Sequence, residues 1–186
     1  MQGTIRKQLT VILTGVILLV AGCSSKTKPT DENFMAGLNA YYANHNDCLF
    51  PSALRFPYEV SPGPDAKQDK QRMDALMNSG LMKRTEDQSI HVEVYALTAA
   101  GERAGSRFCY GHREVTSIDS FTPPSKEANG MLKSTVTYKY KMMDVPVWAR
   151  TDEVQKAFPE MAKALLGDAT GENTLANAGV GWQIPD

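Results

Sequence analysis

The spacing of apolar and polar residues changes along the chain, and each spacing predicts a different element. From Asp31 to about Asn44, apolar residues recur every three or four positions, which is typical of an amphipathic helix. The same spacing predicts a second helix from Lys67 to Asn78, and Gly80 is placed to end it. After Gly105 the chain becomes rich in β-branched and aromatic residues, which favours strands.

In the β-rich part, residues 132 to 142 show the clearest alternation with a period of two. This alternation predicts an antiparallel strand with one buried face. The residues of that face are Leu132, Ser134, Val136, Tyr138, Tyr140 and Met142. Further strands are predicted over 107–121 and after Thr174, with a helix between them that Pro159 kinks or restarts. This order predicts an α+β fold in which the helix packs across an antiparallel sheet.

Two short stretches in the first part follow a known local pattern. Residues 75–81, ALMNSGL, are followed by residues 95–101, YALTAAG. This order resembles the end of a winged-helix domain, where a helix leads into a β-hairpin wing. The resemblance implies an N-terminal helical, winged-helix-like part over 31–105, before the antiparallel sheet part over 106–186. DNA binding is not carried over, because Lys67, Lys70 and Arg72 are offset by acidic residues in the same helix.

The first 22 residues are predicted to be a leader. Arg6 and Lys7 precede an apolar run from Leu9 to Val20, which is the order of an export signal. A helix of about 12 residues spans roughly 18 Å, less than the roughly 30 Å hydrocarbon core of a bilayer, so a permanent transmembrane helix is disfavoured. Residues 20–23, VAGC, resemble the lipobox of bacterial lipoproteins. The resemblance implies a signal peptide over 1–22 and a mature chain that begins at a lipid-bearing Cys23.

The residues after the leader bear on location and partners. Residues 23–30 are polar and are interpreted as a lipidated cysteine and a tether. Ser24 is not Asp, which by the same resemblance favours the outer membrane, facing the periplasm, over the inner membrane. The formal net charge is −1, or −3 without Arg6 and Lys7, which argues against nucleic acid as a partner. The alternative to a lipoprotein signal is an ordinary signal peptide in which Cys23 is incidental.

The two remaining cysteines, Cys48 and Cys109, predict a disulfide in an oxidising compartment. The alternative is a pair of separate buried thiols. No C-x-x-C pair is present, so the sequence suggests neither a thioredoxin-like redox site nor a zinc ribbon.

Candidate chemistry is sparse. His45, His91 and His112 lack the short spacing of metal ligands, and no nucleophile elbow or phosphate-binding loop occurs, so no cofactor, metal or catalytic residue is predicted. A lysine stripe on the predicted strand either contacts an anionic surface or is a solvated face; its members are Lys133, Lys139 and Lys141. Four aromatic residues either line a cleft or belong to the core; they are Tyr138, Tyr140, Trp148 and Trp182.

These features favour a lipid-anchored, periplasm-facing envelope lipoprotein. We expect a non-catalytic binding or assembly module whose partners are the membrane, through its lipid, and an envelope protein. The alternative is a small-ligand carrier or enzyme with a cleft near Trp148 and Trp182.

Overall fold

The computed structural model describes residues 26–60, 63–87 and 92–185, and of Asp87 only the backbone. The leader, Cys23 and His91 lie outside this part of the chain. Within it, no helix is long and apolar enough to cross a bilayer.

The α+β fold is confirmed: the described part of the chain contains several helices and two antiparallel sheets. In chain order the elements are α1 (Asp31–Tyr42), β1 (Asn46–Cys48), β2 (Tyr58–Glu59), α2 (Ala66–Asn78), β3 (Met82–Asp87), β4 (Val92–Leu97), α3 (Ala99–Ala104), β5 (Cys109–Phe121), β6 (Ser125–Lys126), β7 (Leu132–Met143), a 3₁₀ helix (Val147–Arg150), α4 (Asp152–Ala157), α5 (Pro159–Ala164), β8 (Ala169–Asn177) and β9 (Trp182–Gln183).

The larger sheet is antiparallel and is built around β7. Its strand order is β1-β5-β7-β8-β9, and the short β6 also pairs with β7. The inward positions of β7 are Ser134, Val136, Tyr138 and Tyr140, all of them buried, as the alternating pattern predicts. β5 and β8 flank β7, so this strand sets the register of the whole sheet.

Helix α1 packs on the inner face of this sheet. Its buried residues Phe34, Leu38 and Tyr42 recur at four-residue spacing, which places them on one side of the helix. A Cβ at Gly37 would lie 2.2 Å from the carbonyl oxygen of Trp182, so this glycine allows the backbones of α1 and β9 to approach closely. The side chain of Asn39 bonds both backbone groups of Val115, where the register of β5 shifts.

The smaller sheet has the order β2-β4-β3 and packs with α2. α2 is followed along the chain by β3 and β4, which pair antiparallel. α1 and β1 precede the sequence boundary at residue 105 but contact β5, which follows it. Buried residues from both parts, among them Phe34, Tyr95 and Val136, belong to one hydrophobic cluster.

The helix that packs across the large sheet is α1, and not the C-terminal helix that the sequence predicted. Pro159 splits the apolar run after Thr151 into α4 and α5, each only six residues long. α4 packs against α2, whereas α1, with 12 residues, covers the sheet. A helix packs on the sheet, as predicted, but the prediction named the wrong helix. Pro159 lacks a backbone N–H and therefore interrupts the C-terminal helix.

Candidate functional site

A polar cavity of about 550 Å³ opens where the C-terminal end of α1 meets β1, β5 and β8. Its lining includes side chains of both charges, Asp47 and Glu172 against Arg107 and Arg113, together with several asparagine amides. Concave sites with convergent polar groups are common ligand sites in proteins.

Three side-chain oxygens meet at the base of this cavity, where the lining residues Tyr42 and Asn173 contact the buried Tyr138. The hydroxyl oxygens of Tyr42 and Tyr138 lie 2.6 Å apart, and Asn173 Oδ1 lies 2.7 Å from the first and 2.5 Å from the second. Only two phenolic protons are available for these three contacts. Arg113 Nη1 donates to both hydroxyl oxygens at 3.4 Å. The guanidinium therefore supplies donors that the oxygen triad lacks, and it fixes the triad in place.

Arg113 is itself held by Asp47. Arg113 Nε donates to Asp47 Oδ2 at 2.7 Å, and Nη2 donates to Oδ1 at 3.2 Å, so the pair is bidentate. The guanidinium carbon also lies 4.6 Å from the ring centroid of Tyr140 and 5.2 Å from that of Tyr42. Burial by itself lowers the pKa of Arg113, but the hydrogen bonds and charge of Asp47 outweigh it and hold that pKa above its usual range. The guanidinium remains a fixed positive charge.

Three tyrosines of this region, Tyr42, Tyr110 and Tyr140, have pKa values raised by burial. Burial raises the pKa of Tyr42 above its usual range, and the hydrogen bond with Tyr138 raises it further. Burial also raises the pKa of Tyr140, and it raises the pKa of Tyr110 to about 12. A general base works best when its pKa lies near the operating pH. These phenols are therefore suited to hydrogen bonding and not to proton abstraction.

The rim of the cavity carries a stacked aromatic pair. The rings of Tyr41 and His45 are parallel within 5°, with centroids 3.8 Å apart. His45 Nδ1 lies 2.7 Å from the backbone oxygen of Tyr41, so Nδ1 carries a proton and donates it. Since His45 is exposed, the pair offers an aromatic surface to a molecule that enters the cavity.

The predicted disulfide is confirmed and forms part of the cavity wall. Cys48 and Cys109 are joined, with Cα atoms 3.7 Å apart. The two residues are paired across β1 and β5. Because Asp47 directly precedes Cys48, the disulfide also holds the carboxylate that pairs with Arg113.

The structure separates the four aromatic residues that were expected to line a cleft. Tyr138 contributes its hydroxyl to the oxygen triad, and Tyr140 lies beneath Arg113. Trp148 packs against Phe108, and the buried Trp182 packs against Phe34. Trp182 also lines a groove of about 510 Å³ beside α1, which the other three do not line.

The lysine stripe follows the outer side of β7. Lys133 Nζ lies 3.7 Å from Glu127, and Lys141 Nζ lies 3.2 Å from Glu114. Lys139 is exposed between them. Two of the three charges are thus partly neutralised by neighbouring carboxylates, which agrees with the interpretation of a solvated sheet face.

A second charged cluster joins α2 to the β3–β4 hairpin. Lys70 lies 3.4 Å from Asp74 and also contacts Glu93, while Arg84 Nη1 lies 2.8 Å from Asp74. The Tyr95 hydroxyl donates to the same Asp74 carboxylate at 2.8 Å. These contacts hold the helix on the hairpin. Among the described residues, no group of three or more histidine, cysteine or acidic side chains could hold a metal ion.

Four residues of the cavity were not identified from sequence, namely Tyr42, Asp47, Arg113 and Asn173. One signal was available for Arg113, which precedes the buried Val115 by two positions and so lies on the inward face of β5. Asn173 gave none, because its polar, glycine-containing surroundings predict a loop and not the strand β8.

Gly171 provides a test of how tightly this site is packed. A Cβ at this position would lie 2.6 Å from Cζ and 2.7 Å from the hydroxyl of Tyr138, so we expect Gly171→Ala to displace that ring. The free energy of unfolding should fall by about 1–3 kcal/mol, as for other overpacked sites. Urea denaturation would measure it. Gly63→Ala is the control, since nothing lies within 4 Å of a Cβ there, and an equal loss in both variants would contradict the expectation.

Comparison of the chain with models of protein families, with curated proteins and with solved structures found no match.

Proposed function

We propose that the chain is a lipid-anchored module of the bacterial envelope that faces the periplasm and binds a small polar ligand without transforming it. The observation that supports the proposal is the polar cavity, in which Arg113 bonds Tyr42 and Tyr42 bonds Asn173, both over the buried hydroxyl of Tyr138. A site whose polar groups are already ordered loses little conformational freedom when a ligand binds.

The charges of the cavity favour a neutral ligand. Its two acidic side chains, Asp47 and Glu172, balance its two arginines, and Arg113 is already paired with Asp47. Asparagine amides and tyrosine hydroxyls both donate and accept hydrogen bonds. The Tyr41–His45 pair adds an aromatic surface. A compound with several hydroxyl or amide groups and no net charge, such as a sugar, meets these groups best.

The protonation of two side chains of the site, Tyr42 and Arg113, favours binding over catalysis. The raised pKa of Tyr42 leaves its hydroxyl protonated, and Arg113 remains charged, so neither is a base at neutral pH. The anchoring rests on the lipobox resemblance around Cys23. An envelope protein remains a second candidate partner, whereas the net charge of −1 does not favour nucleic acid.

The ligand proposal predicts that Tyr42→Phe weakens binding of a neutral amido sugar, with N-acetylglucosamine as the probe, by about tenfold. The substitution keeps the ring and removes a hydroxyl, and a hydrogen bond contributes about 1 kcal/mol or somewhat more. Isothermal titration calorimetry on the purified protein would measure the dissociation constant. Tyr58→Phe is the matched control, because Tyr58 lies on β2, away from the cavity lining.

Two results would count against this proposal. If neither the probe nor related neutral sugars bind, or if both phenylalanine variants weaken binding equally, the cavity is not the ligand site. Chemical conversion of the bound sugar, followed by NMR, would overturn the non-catalytic role.

A further inference from the structure

The segment interpreted from sequence as a tether is bonded to the folded body. Asn177 Nδ2 donates to the backbone oxygen of Thr27 at 3.2 Å, and Trp182 Nε1 donates to that of Lys28 at 3.1 Å. Asn33 Nδ2 donates to the same Lys28 oxygen at 3.0 Å. Asn177 and Trp182 are only 4% and 3% exposed, so both donors belong to the rigid end of the large sheet.

These bonds shorten the reach of the N-terminal segment. A free chain from Cys23 to Asp31 could span about 29 Å, at about 3.6 Å per residue. With Thr27 and Lys28 held, only the four steps from Cys23 to Thr27 remain, or about 14 Å. The headgroup layer of one leaflet is roughly 5–8 Å thick. A lipid on Cys23 would therefore hold this end of the sheet at the membrane surface.

The same end presents an apolar side chain. The turn between β8 and β9 carries Val180, which is 72% exposed, between Gly179 and Gly181, whose φ angles are 98° and 127°. Thr27 lines a depression together with Met131, which directly precedes β7, and Gly179 of the Val180 turn. The start of the described chain therefore lies between these two turns. We define the Val180 turn, together with Thr27 and Lys28, as the tether end.

We infer that the tether end is the surface that rests on lipid headgroups, with the Val180 side chain inserted among them. This inference rests on the proposed anchoring at Cys23. It orients the molecule: Lys133 lies near the membrane, whereas Lys139 and Lys141 lie about 20 and 27 Å farther along β7. Helix α1 rises from the tether end, so the cavity at Tyr42 opens about 18 Å above it.

Site-specific fluorescence on the full-length lipidated protein tests the surface. Cys48 and Cys109 are joined and Cys23 carries the lipid, so an introduced cysteine is available for labelling. Val180→Cys and Val147→Cys form a matched pair, since both valines are strongly exposed, at 72% and 83%, and they lie beyond opposite ends of β7. Each is labelled with nitrobenzoxadiazole and reconstituted into phosphatidylethanolamine–phosphatidylglycerol vesicles that contain a lipid with a headgroup nitroxide.

If the tether end rests on lipid headgroups, the label at position 180 should show a blue-shifted emission and the nitroxide should quench most of its fluorescence. The label at position 147 should show neither change. A label at position 180 that stays exposed and unquenched while the protein floats with the vesicles would overturn the docking surface and leave the anchor intact. A label at position 180 that is shielded from water but not quenched by the nitroxide would indicate that a protein covers this surface. That result would also overturn the proposal that the tether end rests on lipid. Flotation that survives Cys23→Ser would overturn the proposed anchoring, and the orientation with it.

Discussion

Replacing both Cys48 and Cys109 by serine is expected to lower the free energy of unfolding by about 4 kcal/mol, the chain-entropy value for a loop of this length. The disulfide closes a loop with a sequence separation of 61 residues, and this closure restricts the unfolded chain. Chemical denaturation of the oxidised protein and of the double variant would measure the difference.

The reduced form of the unmodified protein is the control for this experiment. It keeps both sulfur atoms but lacks the covalent link, so it should lose nearly the same stability as the double serine variant. A change below about 1 kcal/mol in both would mean that the link does not restrain the unfolded chain as the entropy argument requires.

The disulfide should also affect the cavity. β1 has three residues and pairs with β5, so the link supplies much of what keeps it in place. Asp47 on the same strand pairs with Arg113. Substitutions at Cys48 and Asp47 should therefore be non-additive, because the loss of either frees the same strand.

The periodic parts of the fold were predictable from sequence. β7 was predicted over 132–142 and spans Leu132–Met143, and α2 was predicted over 67–78 and spans Ala66–Asn78. Both carry regular apolar spacing, which is the strongest local signal. The first part of β8 was not predicted, because Gly171, Glu172 and Asn173 have the composition of a loop, although pairing with β7 makes them a strand. Tertiary pairing overrode local propensity there.

The candidate site was harder to predict because its residues come from four separate elements. Tyr42 ends a helix, Asp47 lies on β1, Arg113 on β5 and Asn173 on β8. None forms a motif with its sequence neighbours. The cysteine pair was predictable, since Cys48 and Cys109 remain when Cys23 is set aside as the predicted lipidation site, and a leftover pair in the expected oxidising compartment indicates a link. Together with the inward position of Arg113 on β5, it was a local clue to where this site lies.

Asp47→Asn should lower the free energy of unfolding by about 2 kcal/mol and loosen the cavity. Removing one partner of a fully buried ion pair costs about 3–5 kcal/mol. The smaller value is expected for this pair because Arg113 and Asp47 keep 25% and 21% of their side-chain surface exposed to water. The asparagine also turns an N–H donor toward the guanidinium. Urea denaturation would give the change in free energy.

Glu160→Gln is the matched control, because it makes the same carboxylate-to-amide change in a pair whose side chains are 69% and 83% exposed. Exposed pairs contribute little, so its stability should stay within error of the unmodified protein. Asp47→Asn also leaves the charge of Arg113 unbalanced in the cavity. We therefore expect this variant, unlike the control, to gain binding of sulfate, measured as a sulfate-dependent rise in melting temperature. Equal stability losses in the two variants, with no sulfate effect in either, would show that Asp47 does not hold Arg113 in place.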